Sequence, residues 1–183
     1  TIKAFYKEQP VIGILHSEVP KFKKPFVRMK TGQTKKLKIR KLRNYDIVSW
    51  NLVSENKKSG SAEIDENGRI TALTAGDITV SANVYGETIS CKVHIEPPIL
   101  RQKSIALYAN KTKKVKLSNT KLEYVEWSST NDQVAYVDPV SGVVYGLQTG
   151  KVVIKTDAGG VTNTCMVVVT DPDKKKSKTN GKK

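Results

Sequence analysis

The feature that most constrains this chain is an internal repeat. Trp50, Gly68, Leu73, Gly76 and Cys91 recur in the same order as Trp127, Gly142, Leu147, Gly150 and Cys165. From the first glycine onward, each second-copy residue follows its counterpart by 74 positions. The tryptophans are 77 apart, so the first copy holds three extra residues between its Trp and its first Gly. Constant spacing over such a stretch means two like units in tandem. A unit of about 75 residues buries only about 60% of the surface its unfolded chain exposes, so each core is small.

Hydrophobic alternation sets the class of both units. Ile78, Val80 and Ala82 alternate with polar neighbours, as do Ile89, Cys91, Val93 and Ile95. Val152 and Ile154 repeat the first set, and Cys165, Val167 and Val169 the second. A period of two places the apolar residues on one face of a strand. Asn67-Gly68 and the run from Asp138 to Gly142 are turn signals, and no stretch shows a helical period. Short strands with regular turns define an all-β fold of two antiparallel sandwiches. Residues 26–96 form the first and residues 99–170 the second. Pro97-Pro98 is a stiff linker. Residues 1–25 do not repeat. Ile2 to Tyr6 and Val11 to His16 each read as a strand, within either an arm or the end of an upstream domain. The polar loop 55–61 contains the insertion. Residues 171–183, without a large apolar side chain, read as a disordered basic tail.

The second copy carries a more specific signature. Val125, Trp127, Ser128, Ser129 and Asn131 are followed by Val134, Ala135 and Val137, then by Gly142, Val144, Leu147 and Gly150, and the last strand enters through Cys165. This pattern resembles the bacterial immunoglobulin-like domain, group 2. The first copy departs from it around Val48, Trp50 and Leu52, and at Ala62 and Ile64, but fits from Gly68 to Gly76 and at its opening, Lys30 to Leu37. The resemblance implies two tandem immunoglobulin-like sandwiches. It also implies occurrence on bacterial surfaces or in secreted proteins, as stalk repeats or beside cell-wall enzymes, and no catalytic residues. Trp50 and Trp127 are expected core anchors, and Cys91 and Cys165 buried free thiols acting as small hydrophobes.

The net charge of +15 is unevenly spread. Residues 1–44 hold thirteen Lys or Arg against two acids, whereas residues 45–100 hold four against eight. Such a bias attracts polyanions: teichoic acid, acidic polysaccharide, anionic lipid or nucleic acid. The run of Arg28, Lys30, Lys35, Lys36, Lys38, Arg40, Lys41 and Arg43 is the candidate binding surface, with Arg28, Lys36, Lys38 and Arg40 its chosen members, and a solvated face is the simpler reading of the same run. No aromatic residues interleave with it in sequence, and no nucleic-acid motif is present, so sequence-specific nucleic-acid recognition is not expected.

Little else suggests chemistry. His16 and His94 lie in different segments and make no metal pair. Asp65, Glu66, Asp132 and Asp138 sit where turns need carboxylates. No nucleophile-elbow motif occurs. No apolar run approaches the roughly 20 residues of a membrane span. The chain begins at Thr1, which reads as a mature or excised fragment. The expectation is a non-enzymatic extracellular spacer or adhesion module without cofactor or metal. The alternative is a module for an anionic glycan or cell-wall polymer, as an accessory to a wall-active enzyme. Its partner would be a surface polymer, or a host glycan or protein.

Overall fold

The computed structural model describes residues 2–6, 9–13, 19–42, 48–53 and 60–172. The expected basic tail beyond Pro172, most of the polar loop 55–61 and the end of the Val11 to His16 strand lie outside the described residues.

The chain is all β, with no helix among the described residues. β1 (Ile2–Tyr6) and β2 (Gln9–Gly13) form an antiparallel hairpin. The first sandwich follows: β3 (Lys21–Phe22), β4 (Phe26–Lys30), β5 (Thr34–Lys36), β6 (Ile39–Arg40), β7 (Val48–Val53), β8 (Ser61–Ile64), β9 (Arg69–Thr74), β10 (Gly76–Val84) and β11 (Glu87–Glu96). The second repeats it with β12 (Ile99–Leu100), β13 (Ser104–Tyr108), β14 (Thr112–Lys114), β15 (Leu117–Ser118), β16 (Trp127–Ser129), β17 (Ala135–Val137), β18 (Val143–Gly146), β19 (Gly150–Ala158) and β20 (Val161–Thr170).

Both halves share one topology. A four-stranded sheet has the order β4-β11-β10-β7 in the first and β13-β20-β19-β16 in the second. The other sheet is β5-β9-β8 or β14-β18-β17, and a short pair, β3-β6 or β12-β15, completes each unit. These are two tandem immunoglobulin-like sandwiches. One pairing in each departs from the antiparallel rule: β4 runs parallel to β11, and β13 parallel to β20. The first long strand of each unit lies beside the last and covers its free edge, which a hairpin connection could not do.

The strand starts extend the repeat. At a spacing of 78, Phe22 matches Leu100, Met29 matches Leu107 and Leu37 matches Val115, and all six are buried. Phe22 thus packs with Met29, Leu37, Ile70, Val80 and Cys91 in the first core, while the second gathers Leu100, Trp127, Ile154, Cys165 and Val167. The two buried clusters share no residue.

Each sandwich is closed by an indole laid on a glycine turn. Gly68 has φ +71, and a Cβ there would lie 2.3 Å from Trp50 Cζ2. Gly142 has φ +67, and its Cβ would lie 3.0 Å from the Trp127 ring and 2.8 Å from the Val115 carbonyl. The glycine carbonyls accept bonds from the end of the neighbouring edge strand in their own sheet, Leu37 N to Gly68 O at 2.8 Å and Val115 N to Gly142 O at 2.9 Å. Trp127 is buried, whereas Trp50 is half-buried. Trp50 tilts against Phe22, with ring centroids 5.9 Å apart. It also borders a cleft of about 410 Å³ lined by Leu42, Val48 and Asn67.

Burial ranks the two indoles. Trp127→Ala should cost about 3–5 kcal/mol in a urea melt, and Trp50→Ala clearly less. Gly142→Ala should cost at least about 1–2 kcal/mol, because alanine must take a left-handed backbone and push into Val115 and Trp127. Equal losses for the two tryptophans would contradict this ranking.

Candidate functional site

Two features stand out beyond the cores: a cationic groove on the first domain and a joint between the domains.

The groove arises where the two sheets of the first sandwich part. β4 is the edge of one sheet and β5 the edge of the other. They meet at a tight turn in which Lys30 N donates to Gln33 Oε1, and Gln33 N to Lys30 O, both at 3.0 Å. At the other end, Lys23 N donates to Lys38 O at 2.7 Å. Between them lies a groove of about 480 Å³ lined by Phe22, Lys23, Lys24, Phe26, Val27, Arg28, Lys35, Lys36, Leu37 and Lys38.

Alternation along the strands explains its chemistry. Phe22, Met29 and Leu37 turn into the core, so Lys23, Phe26, Arg28, Lys36 and Lys38 point outward. Lys35 Nζ reaches across and donates to the Arg28 carbonyl at 2.5 Å. The Arg28 guanidinium sits 5.5 Å from the centroid of the Phe26 ring, a cation–π distance. It also lies 4.0 Å from Glu96. Among the described residues, Lys23, Lys24, Lys36 and Lys38 make no ion pair.

Of the sequence candidates, Arg28, Lys36 and Lys38 come together here. Arg40 does not: it lies on β6 opposite Lys21 and is absent from the groove wall. Arg43 lies outside the described residues. Lys23, Lys24 and Phe26 were not among the chosen candidates. Phe26 matters most, because it supplies an aromatic side chain beside the basic run. Its exposed position next to Val27 and Met29 was readable from alternation, but the approach of β4 to β5 was not.

The second domain is an internal control. At the spacing of 78, Lys35, Lys36 and Lys38 become Lys113, Lys114 and Lys116, so that bank keeps its charge. Lys24, Phe26 and Arg28 become Gln102, Ser104 and Ala106. The second domain keeps Arg101 at the Lys23 position and has Lys103 at that of Pro25, so its wall stays cationic, and the pair of Phe26 and Arg28 belongs to the first domain alone.

The joint is made by backbone. Thr31 is fully buried. Its carbonyl accepts from Lys121 N at 2.7 Å and from Thr120 Oγ1 at 3.2 Å. Ala75 N donates to Gly159 O at 2.8 Å. Glycines allow this approach: a Cβ on Gly32 would fall 2.4 Å from Leu122 N, and one on Gly159 2.5 Å from Thr31 Cγ2. The linker is tied down as well. Asn119 Nδ2 donates to the Pro97 carbonyl at 3.0 Å, and Leu100 N donates to Asn163 Oδ1 at 3.1 Å.

Of the remaining polar candidates, Asp65, Asp138 and His94 have structural partners. Asp65 Oδ1 accepts from Asn67 N and Arg69 N, and Asp138 Oδ1 from Ser141 N and Val140 N. The Ser141 bonds hold the Asp138 carboxyl below the usual carboxylate range. His94 Nδ1 lies 2.7 Å from Asp77 Oδ1 across the β10–β11 pair. Among the described residues, no group of three or more His, Cys, Asp or Glu could hold a metal ion, and no helix is long and apolar enough to cross a membrane. Cys91 and Cys165 are free and buried. Burial pushes the Cys91 thiol up to about 11 and raises that of Cys165.

No family model matches the chain, and no curated protein matches it. Solved structures do. The I9–I11 tandem from titin is 11% identical with a TM-score of 0.43, over 92% of this chain and 73% of that one. The C-terminal 282-residue fragment of intimin, solved with the intimin-binding domain of its translocated receptor, is 17% identical with a TM-score of 0.39, over 85% and 64%. Domains 4 and 5 of the S-layer protein SbsC are 16% identical with a TM-score of 0.31, over 68% and 70%.

A thiol must ionise to react. The two cysteines should therefore resist a maleimide or aromatic disulfide at neutral pH in the folded chain and label fully in denaturant. Rapid labelling of either without unfolding would contradict their burial.

Proposed function

We propose that this chain is a non-catalytic extracellular module, a spacer or adhesion element of a bacterial surface or secreted protein. The observation that carries this reading is the joint. Domains linked only by a flexible tether move independently by default. Here hydrogen bonds from both sides, close backbone approach at Gly32 and Gly159, and a pinned Pro97-Pro98 linker hold one domain on the other. Two domains held in a fixed mutual geometry transmit position and force, which is what a spacer has to do. The group 2 immunoglobulin-like signature of the second copy, from Val125 to Gly150 and Cys165, supports a bacterial surface setting. In this reading residues 26–96 and 99–170 are the two domains, with β3 at Lys21–Phe22 packed onto the first, and Trp50, Trp127, Cys91 and Cys165 serve structure alone.

A second reading is favoured by the groove: a module that binds an anionic glycan or cell-wall polymer, as an accessory to a wall-active enzyme. Lys23, Lys24, Lys36 and Lys38 gather around one cleft and make no ion pair among the described residues, a concentration of positive charge that attracts an anion.

The two readings separate experimentally. Gly159→Val places a branched side chain against Thr31 and should open the joint. Small-angle scattering should then show a longer, more variable particle while both domains still melt cooperatively. Unchanged scattering would show that the joint does not hold the domains together and would remove this reading. For the second reading, polyanion binding should weaken steeply between low and physiological salt, because exposed charges are screened beyond about 8–10 Å. Salt-independent binding would reject it.

A further inference from the structure

We propose that the edge groove of the first domain is a binding site for a linear acidic polysaccharide, with Phe26 and Arg28 as its selective wall. This proposal deepens the polymer-binding reading and rests on it.

Lysines on edge strands have a simpler use, since they discourage edge-to-edge aggregation. That accounts for Lys35, Lys36 and Lys38 and for Lys113, Lys114 and Lys116 alike. On the opposite bank β4 is an edge as well, so the same use covers the charge of Arg28 but not the exposed ring of Phe26. Only the first domain places an exposed phenylalanine, 46% accessible, beside an arginine on that bank. An exposed aromatic ring in an aqueous groove loses free energy unless something apolar covers it. The C–H face of a pyranose ring is such a cover, and a carboxylate or sulfate on the same sugar then falls within reach of the guanidinium.

The groove has the size and polarity of a ligand site. Its volume of about 480 Å³ lies within the range of about 300–1,000 Å³ usual for ligand pockets. Its floor is apolar, from Phe22, Val27 and Leu37, and its two banks are cationic, with Lys24 and Arg28 facing Lys36 and Lys38. Outward side chains recur about every 6.8 Å along a strand. A charged row with such a repeat suits a ligand that itself repeats, a polymer rather than a single ion. Single-stranded nucleic acid fits less well, because its binding uses successive aromatic platforms, and among the described residues Phe26 is the one exposed aromatic residue lining this groove.

The test uses the full chain and four immobilised probes: polygalacturonate, heparin, long-chain polyphosphate and a single-stranded oligonucleotide. Polygalacturonate and heparin separate carboxylate from sulfate as the preferred anion. Polyphosphate carries charge without rings. The variant Phe26→Ser/Arg28→Ala installs the second domain's residues at exposed positions and should fold, as a thermal melt will verify. It should bind both glycans at least about tenfold more weakly, a change of about 1.4 kcal/mol, while polyphosphate binding changes by less than about threefold. Phe26→Tyr should keep glycan binding. Lys36→Glu/Lys38→Glu should abolish it, and Arg40→Glu, outside the groove, should stay within about twofold. Undiminished glycan binding by the Phe26/Arg28 variant overturns the site. So does tighter binding of polyphosphate or oligonucleotide than of either glycan. If glycan binding persists in that variant and is lost with Lys113→Glu/Lys114→Glu, polymer binding stands and this groove falls. If the wild-type chain binds no polyanion at low salt, both fall together.

Discussion

An indole resting on a glycine holds each sandwich shut. In both domains the Trp strand and the glycine turn come from opposite sheets, and the glycine carbonyl also ties down the edge strand of its own sheet, at Leu37 and at Val115. A thin sandwich of short strands has few side chains large enough to span its middle. The indole does so only because no Cβ occupies its space and the turn can take a positive φ. Removing either partner opens the layer and loosens the β5 or β14 side together with it. That makes the Trp–Gly pair the deepest constraint, and it explains why these two residue types are the most visible marks of the repeat.

Around this shared interior the two domains differ where they meet something else. Thr31 and Gly32 of the first correspond, at a spacing of 78, to Ala109 and Asn110 of the second. Gly159 and Gly160 of the second correspond, at 74, to Tyr85 and Gly86 of the first. The joint thus uses one end of each domain, and the matching ends carry different side chains: Tyr85 is exposed where Gly159 is engaged. The groove follows the same logic. Its lysine bank is common to both domains, while Phe26 and Arg28 are particular to one. Core positions are held alike by packing, whereas these surface positions differ between the two copies.

Much of the fold was legible because burial imposes a period of two. Ile78, Val80 and Ala82, and Cys91, Val93 and Ile95, alternate in sequence and are buried in the structure. The all-β class followed from that alternation together with the turn chemistry of Asp65 to Gly68 and Asp138 to Gly142. Other features were hidden for physical reasons. The two-residue strand at Lys21–Phe22 is too short to show a period, so the place of Phe22 in the core was not visible. The parallel docking of β4 on β11 is a long-range pairing with no local signature. Arg40 looked equivalent to Lys38, yet it stands on β6 opposite Lys21 rather than on the groove wall, a pairing with no local signature. Trp50 and Trp127 looked alike too, but the cleft near Leu42 leaves one of them half-exposed.

Sequence by itself determined the things that local chemistry dictates: two repeats, strands of alternating polarity, glycine turns, buried thiols and an excess of positive charge near the start. Tertiary structure alone decided which charges share a space. The edges of two different sheets converge to bring Arg28 within reach of Lys35, and hydrogen bonds across some ninety residues of chain lock Thr31 onto Thr120. Those distances depend on how sheets stack and where domains touch, and no pattern along the chain encodes them locally.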